Sequence, residues 1–222
     1  MDLSTMDTAV PISPDRVSLS TYLGLGVDYS SPYFKGEDYM QDEGIDDDWE
    51  GLINDLCTVV KIGIPASEKL DVQAKIYQSG YSWGAKLGVK NLFYHQGKKY
   101  FALMPMLTHI SGSVERFDED DNAYKDTFGA KGFEMTGLYS YEANKYLTGT
   151  LALRYNLSLY KEESNQIQYE DLLLSHGGLS ANLRLTLGAL MLTYEFGFEV
   201  LPNKDSNVLT SPITALGIGL QF

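Results

Sequence analysis

The residues best placed for chemistry are His109 and Ser111, two apart with Ile110 between them. A serine hydroxyl becomes a nucleophile when a neighbouring base takes its proton, and a histidine oriented by an acid is a common base. The acid here would be Glu115 or a member of the run Asp118-Glu119-Asp120-Asp121. That run, like Asp46-Asp47-Asp48, also offers oxygen ligands to a hard cation, with Asp118, Asp120 and Asp121 as the set. Neither run has EF-hand spacing: after Asp118 the glycine position holds Ala123 and the closing glutamate position holds Gly129. The plainer reading is a polar strand end for the first feature and solvated acidic loops for the second. His95 and His176 have no Cys or His at metal-ligand spacing. No phosphate loop, dinucleotide glycine pattern or hydrolase elbow is present, so no cofactor is implied.

The elements that would carry these residues read as strands. In Thr214–Phe222, Thr214, Leu216, Ile218, Leu220 and Phe222 share one face and Ala215, Gly217, Gly219 and Gln221 the other. Such period-two alternation marks a strand with two unlike faces. Leu190 to Val200 and Leu179 to Leu187 alternate in the same way, and only Gly188 and Ala189 separate them, which predicts a tight hairpin. Leu147–Leu159 pairs with Phe133–Tyr141 through a turn at Glu142–Lys145, and Tyr81–Phe93 with Phe101–Leu107 through His95–Lys98. Val17 to Tyr29 supplies another strand. Eight strands are the first count, with ten and twelve as alternatives. Leu56–Ile64 and Val72–Gln78 are either a further pair or an extracellular hairpin, and Asp48–Leu56 also fits a short helix. The domain reading is a flexible N-terminal segment over 1–16 and a barrel over 17–222.

Charge and loop length choose the surroundings of that barrel. The chain of 222 residues carries a net charge of −13, which argues against nucleic-acid binding. Segments 31–55, 117–127, 161–172 and 201–212 hold 19 of the 30 acidic and 4 of the 17 basic residues, giving them a net charge of −15. The turns at 95–98, 142–145 and 188–189 are short, and long connections alternate with them. Short turns at one end and long loops at the other suit a transmembrane barrel with short periplasmic turns and long acidic extracellular loops. Strands of ten or more residues are long enough to cross a bilayer at a tilt. The polar faces carry Lys86, Lys90, Glu134, Arg154, Arg184, Glu195 and Glu199, which predicts an ion-pair network inside the lumen. The inverted alternative is a soluble barrel whose pocket is lined by Leu, Tyr and Phe. Tyr29, Tyr81, Trp83, Phe93, Tyr139, Tyr141 and Tyr194 read as interfacial girdles.

With those strands in place, the chain resembles the outer-membrane β-barrels of Gram-negative bacteria, in size the small OmpA/OmpX-type or a solitary autotransporter-like barrel. The resemblance covers residues 17–222 and is strongest at the C-terminal assembly signal, here Gly217, Leu220 and Phe222; Ala215 stands where a polar residue is usual. It implies an all-β antiparallel transmembrane barrel in the outer membrane. Its partners would be membrane lipid and lipopolysaccharide, the barrel-assembly machinery through the last strand, and an extracellular ligand. Met1 to Arg16 has no basic stretch followed by an apolar run, so no signal peptide is visible there, as expected of a mature, processed form. His109 and Ser111 are similar to the His-x-Ser arrangement of outer-membrane lipid A deacylases, which makes a lipid A esterase the enzymatic alternative. A narrow solute pore is the other. The leading expectation is a non-catalytic barrel that makes surface contacts through its acidic loops.

Overall fold

A computed structural model describes residues 6–26, 55–80, 82–117, 123–163, 171–202 and 208–222. Ten strands form it: β1 (Ser18–Gly26), β2 (Asp55–Ser67), β3 (Leu70–Ser79), β4 (Ser82–Gln96), β5 (Lys99–Phe117), β6 (Ala123–Glu142), β7 (Leu147–Glu163), β8 (Leu172–Leu187), β9 (Leu190–Pro202) and β10 (Val208–Gln221). Each is antiparallel to its sequence neighbour, and β1 closes on β10, so the sheet is a closed barrel. Closure removes the unpaired strand edge that would otherwise invite aggregation.

The count is therefore ten, not eight. The two added strands are β2 and β3, which sequence left open. In β2, Leu56, Val60, Ile62 and Ile64 are exposed while Cys57, Val59 and Lys61 are buried. In β3, Val72 and Ile76 point outward and Asp71, Gln73, Lys75 and Tyr77 inward. Both strands thus join the barrel wall, and the stretch 30–79 is not one long connection. Of the helix expected over 48–56, all but the start of β2 lies outside the described residues. At one end, β2–β3, β4–β5, β6–β7 and β8–β9 are joined through 68–69, 97–98, 143–146 and 188–189. Gly97 and Gly188 have φ of 57° and 65°, the left-handed region tight hairpins need and most side chains avoid. At the other end lie 27–54, 80–81, 118–122, 164–171 and 203–207, so the short connection 80–81 breaks the strict sorting by length.

The outer surface is apolar. Leu107, Leu151, Leu153, Leu183, Phe196, Leu216 and Ile218 are all exposed on it, while buried side chains of the same strands line a lumen of mixed polarity. This overturns the inverted reading, because the Leu/Tyr/Phe faces point out and form no interior pocket. Trp83, Phe93, Tyr139, Tyr141 and Tyr194 are also exposed; Tyr29 and Tyr81 lie outside the described residues.

Strand β4 meets β5 where Pro105 withholds a backbone donor. The paired register there passes from Gly88–Met106 to Asn91–Leu103. A Cβ on Gly88 would stand 2.1 Å from the Pro105 carbonyl oxygen and 2.8 Å from the Met106 Cα. Gly88→Ala is therefore expected to lower stability by about 1–3 kcal/mol through overpacking. The midpoint of denaturant unfolding in detergent, compared with wild type, checks this.

The N-terminal segment differs most from expectation. Where a flexible segment is expected, Met6, Asp7, Thr8, Ala9 and Ile12 are each at most 5% exposed. They lie inside the barrel, entered from the end with the short turns. The chain reverses at Ser13–Arg16, where the Arg16 N–H donates to the Ser13 carbonyl at 2.9 Å. Polar groups on the lumen wall account for the burial, since they satisfy main-chain donors and acceptors that hydrophobicity alone would leave costly to bury.

Candidate functional site

The lumen holds the densest chemistry, in three levels. Nearest the short turns, the N-terminal segment is held by its main chain and one carboxylate. The Met6 N–H donates to Glu195 Oε2 at 2.7 Å and the Ala9 N–H to Ser140 Oγ at 2.7 Å. The Ile12 N–H donates to both Asp71 oxygens, at 3.3 and 3.2 Å. Asn182 Nδ2 donates to the Asp7 carbonyl at 2.7 Å, Lys90 Nζ to the Val10 carbonyl at 2.9 Å, and Arg184 to the Met6 carbonyl at 3.2 Å and Thr8 Oγ1 at 3.3 Å. The Asp7 carboxylate pairs with Lys61 and lies 3.6 Å from Lys75 Nζ. At the mouth, outside the strands, the Ser13 hydroxyl donates to Asp15 and holds its carboxyl below the ordinary value.

Above this level the strands contribute ion pairs. Lys86 and Glu134 meet at 2.8 Å there, while the Lys90–Asp71 pair, also at 2.8 Å, lies at the level of the N-terminal segment, where Asp71 accepts from Ile12 and Lys90 donates to Val10. Glu199 contacts Arg154 through one oxygen and His176 Nδ1 at 2.5 Å through the other. Ser180 donates to Glu195 at 2.5 Å. Gly178 faces Glu199 in register, and a Cβ there would collide with its carboxylate, so the glycine makes the room. Towards the opposite end the lumen turns apolar and aromatic: Tyr22, Tyr77, Ile110, Phe128, Tyr160 and Ile213 form one buried cluster. The Phe128 and Tyr160 rings stack at 6.3 Å, and Lys86 Nζ lies 5.7 Å from the centre of the Tyr77 ring.

All seven charged residues assigned to the lumen from sequence face inward, and each contacts a partner there. The pairings tie Lys90 to Asp71, Arg184 to the N-terminal segment and Glu195 to Met6 and Ser180. His109 and Ser111 lie on the outer face, on either side of the buried Ile110. The His109 ring packs edge-on against Trp83 at 5.6 Å, and Ser111 stands opposite Trp83 in register. Residues two apart on a strand are about 6.6 Å apart at Cα, and among the described residues no hydrogen bond joins this pair. Glu115 is in register with Lys125. Asp118, Asp120 and Asp121 lie outside the described residues. In β10, Gly217 faces the lumen beneath Met6, where a Cβ would approach the Met6 methyl to 2.6 Å, while Leu220 and the terminal Phe222 are exposed on the outside.

No family model matches the chain, and no curated protein matches it. Solved structures do. The outer membrane protease OmpT of Escherichia coli is 11% identical, with a TM-score of 0.52 over 98% of this chain and 100% of that one. The translocator domain of the autotransporter NalP from Neisseria meningitidis is 12% identical, with a TM-score of 0.50 over 93% and 87%. This chain has the outer-membrane β-barrel fold. Identities so low speak for the fold alone.

Within that outer-membrane barrel fold, sequence reasoning missed Asp7, Lys61, Asp71, Lys75 and His176. His176 was legible in principle: counting back by twos from Asn182 through Ser180 and Gly178 places it in the lumen. Lys61, Asp71 and Lys75 follow from the parity of β2 and β3 once those are accepted as wall strands. Asp7 carried no signal, because nothing in the pattern of residues 6–12 announces that a barrel encloses them.

Proposed function

We propose that this protein is an integral outer-membrane barrel that acts through what its long-connection end presents at the cell surface, not by passing solutes through its lumen. The observation that carries this reading is the filled lumen: segment 6–12, the ion pairs and the aromatic cluster, which Met6 joins, together occupy it. The apolar outer face suits a bilayer, with the short turns periplasmic and the acidic connections outside. In this reading the outer face contacts lipid and lipopolysaccharide, and Gly217, Leu220 and Phe222 address the chain to the assembly machinery. The acidic surface segments contact an extracellular ligand.

The reading predicts no ion-conducting steps when the refolded full chain is inserted in a planar bilayer at physiological salt. Regular steps above the leak of protein-free bilayers would replace it with the narrow-pore reading. Catalysis is absent from this proposal because His109 and Ser111 face outward without a bond between them. Lipopolysaccharide incubated with wild type is expected to keep its acyl chains, as it does with Ser111→Ala; loss of a chain with wild type alone would restore the esterase.

A further inference from the structure

We propose that the turn-end half of the lumen is a binding site for an extended acidic peptide, and that residues 6–12 occupy it as an exchangeable internal ligand. Three observations carry this. First, the wall grips the segment as it would a separate peptide: Glu195, Ser140 and Asp71 accept from its N–H groups, while Asn182, Lys90 and Arg184 donate to its carbonyls. Main-chain recognition of this kind supplies affinity with little demand on side-chain identity, and one specific side chain then selects the ligand.

Second, that side chain is Asp7. Lys61 and Lys75 meet its carboxylate, and Lys90 and Arg184 lie within its electrostatic reach. Lys90 is also paired with the neighbouring Asp71, and Lys75 lies within the electrostatic reach of Glu134. The wall thus concentrates positive charge at one buried point, which an incoming carboxylate satisfies.

Third, the barrel does not need the segment to be a barrel. Its sheet is closed through strand pairing alone, and the segment contributes no strand to it. The segment also leaves a cavity of about 300 Å³ beside it, open towards the short turns and bordered by Lys61, Lys90, Arg184 and Gln73. The exposed turn at Ser13–Arg16 is the hinge on which the segment can leave.

The test places a protease site in the turn between Pro14 and Asp15 of the full chain, folds it in detergent, and cleaves it. The probe is a fluorescent peptide with the sequence of residues 1–14. Exchange of that peptide into the cleaved barrel is expected, saturable at micromolar concentration, while the barrel keeps its boiling-dependent gel mobility. The Asp7→Asn peptide is expected to bind roughly tenfold or more weakly, and a scrambled peptide not at all. No exchange, equal uptake of all three peptides, or collapse of the barrel on cleavage would overturn the proposal. Hydrogen exchange on the unaltered chain gives a reading free of the inserted site. The Met6, Ala9 and Ile12 amides are expected to exchange well before the strand amides at the same depth; equal protection would overturn it.

Discussion

Replacing Glu199 by alanine is expected to destabilise the barrel by about 3 kcal/mol. Its carboxylate is fully buried and contacts both the Arg154 guanidinium and the His176 ring, themselves at most 4% exposed. Breaking a buried charge pair by removing one partner typically costs about 3–5 kcal/mol, because the remaining charge has lost its compensation without regaining water. The lower end applies, since Glu134 also lies within electrostatic reach of Arg154. Glu199→Gln, which keeps an acceptor oxygen for Arg154, should lose less. Guanidinium unfolding of the refolded protein in lipid vesicles measures both. A change below about 1 kcal/mol for the alanine variant would mean that the mid-lumen charges are wet and loosely coupled.

On the opposite face, Leu153→Arg distinguishes lipid from water. Leu153 is 66% exposed, about the middle of β7, with Leu151 and Tyr155 beside it on the same surface. In a bilayer, an arginine at that depth should destabilise by about 2–4 kcal/mol, whereas Leu187→Arg, beside the Gly188 turn, should cost about 0–1 kcal/mol. In water both would be close to neutral, since surface substitutions away from special features seldom exceed about 0.5 kcal/mol. A depth-dependent penalty in vesicles therefore supports the membrane reading, and its absence removes it.

The wall of this barrel was legible because lipid-side and lumen-side residues alternate. Leu216, Ile218 and Leu220 against Ala215, Gly217 and Gly219 give β10 directly, and Gly188 fixes the β8–β9 hairpin. β2 and β3 were harder, for physical reasons. Val59 and Val60 put apolar side chains on both faces near the middle of β2, which blurs the period, and Pro65 interrupts its later end. The connection 80–81 then runs β3 almost directly into β4, so β2 and β3 read as part of one long external stretch ahead of Tyr81–Phe93. The site was legible as a set of inward charges and not as pairs. Parity gives the face of Arg154 and Glu199, but the register that brings them together spans three strands, β7 to β9. The buried N-terminal segment lay beyond reach altogether: enclosure is a property of the closed wall, and segment 6–12 has no periodicity of its own to betray it.

The place where the sheet closes has a mechanical consequence. Val17 and Phe222 lie side by side and exchange two backbone hydrogen bonds, at 2.7 and 3.1 Å. From there β1 meets β10 over seven residue pairs, against nineteen between β5 and β6. Tension applied through the two chain ends would open that seam like a zipper, loading one pair at a time instead of shearing the whole ladder. Segment 6–12 hangs from the same anchor, so a pull on the N-terminal side strains the lumen contacts of Asp7 before it reaches the wall. The seam between the first and last strands is thus the line along which such a pull opens the wall, starting from the Val17–Phe222 contact.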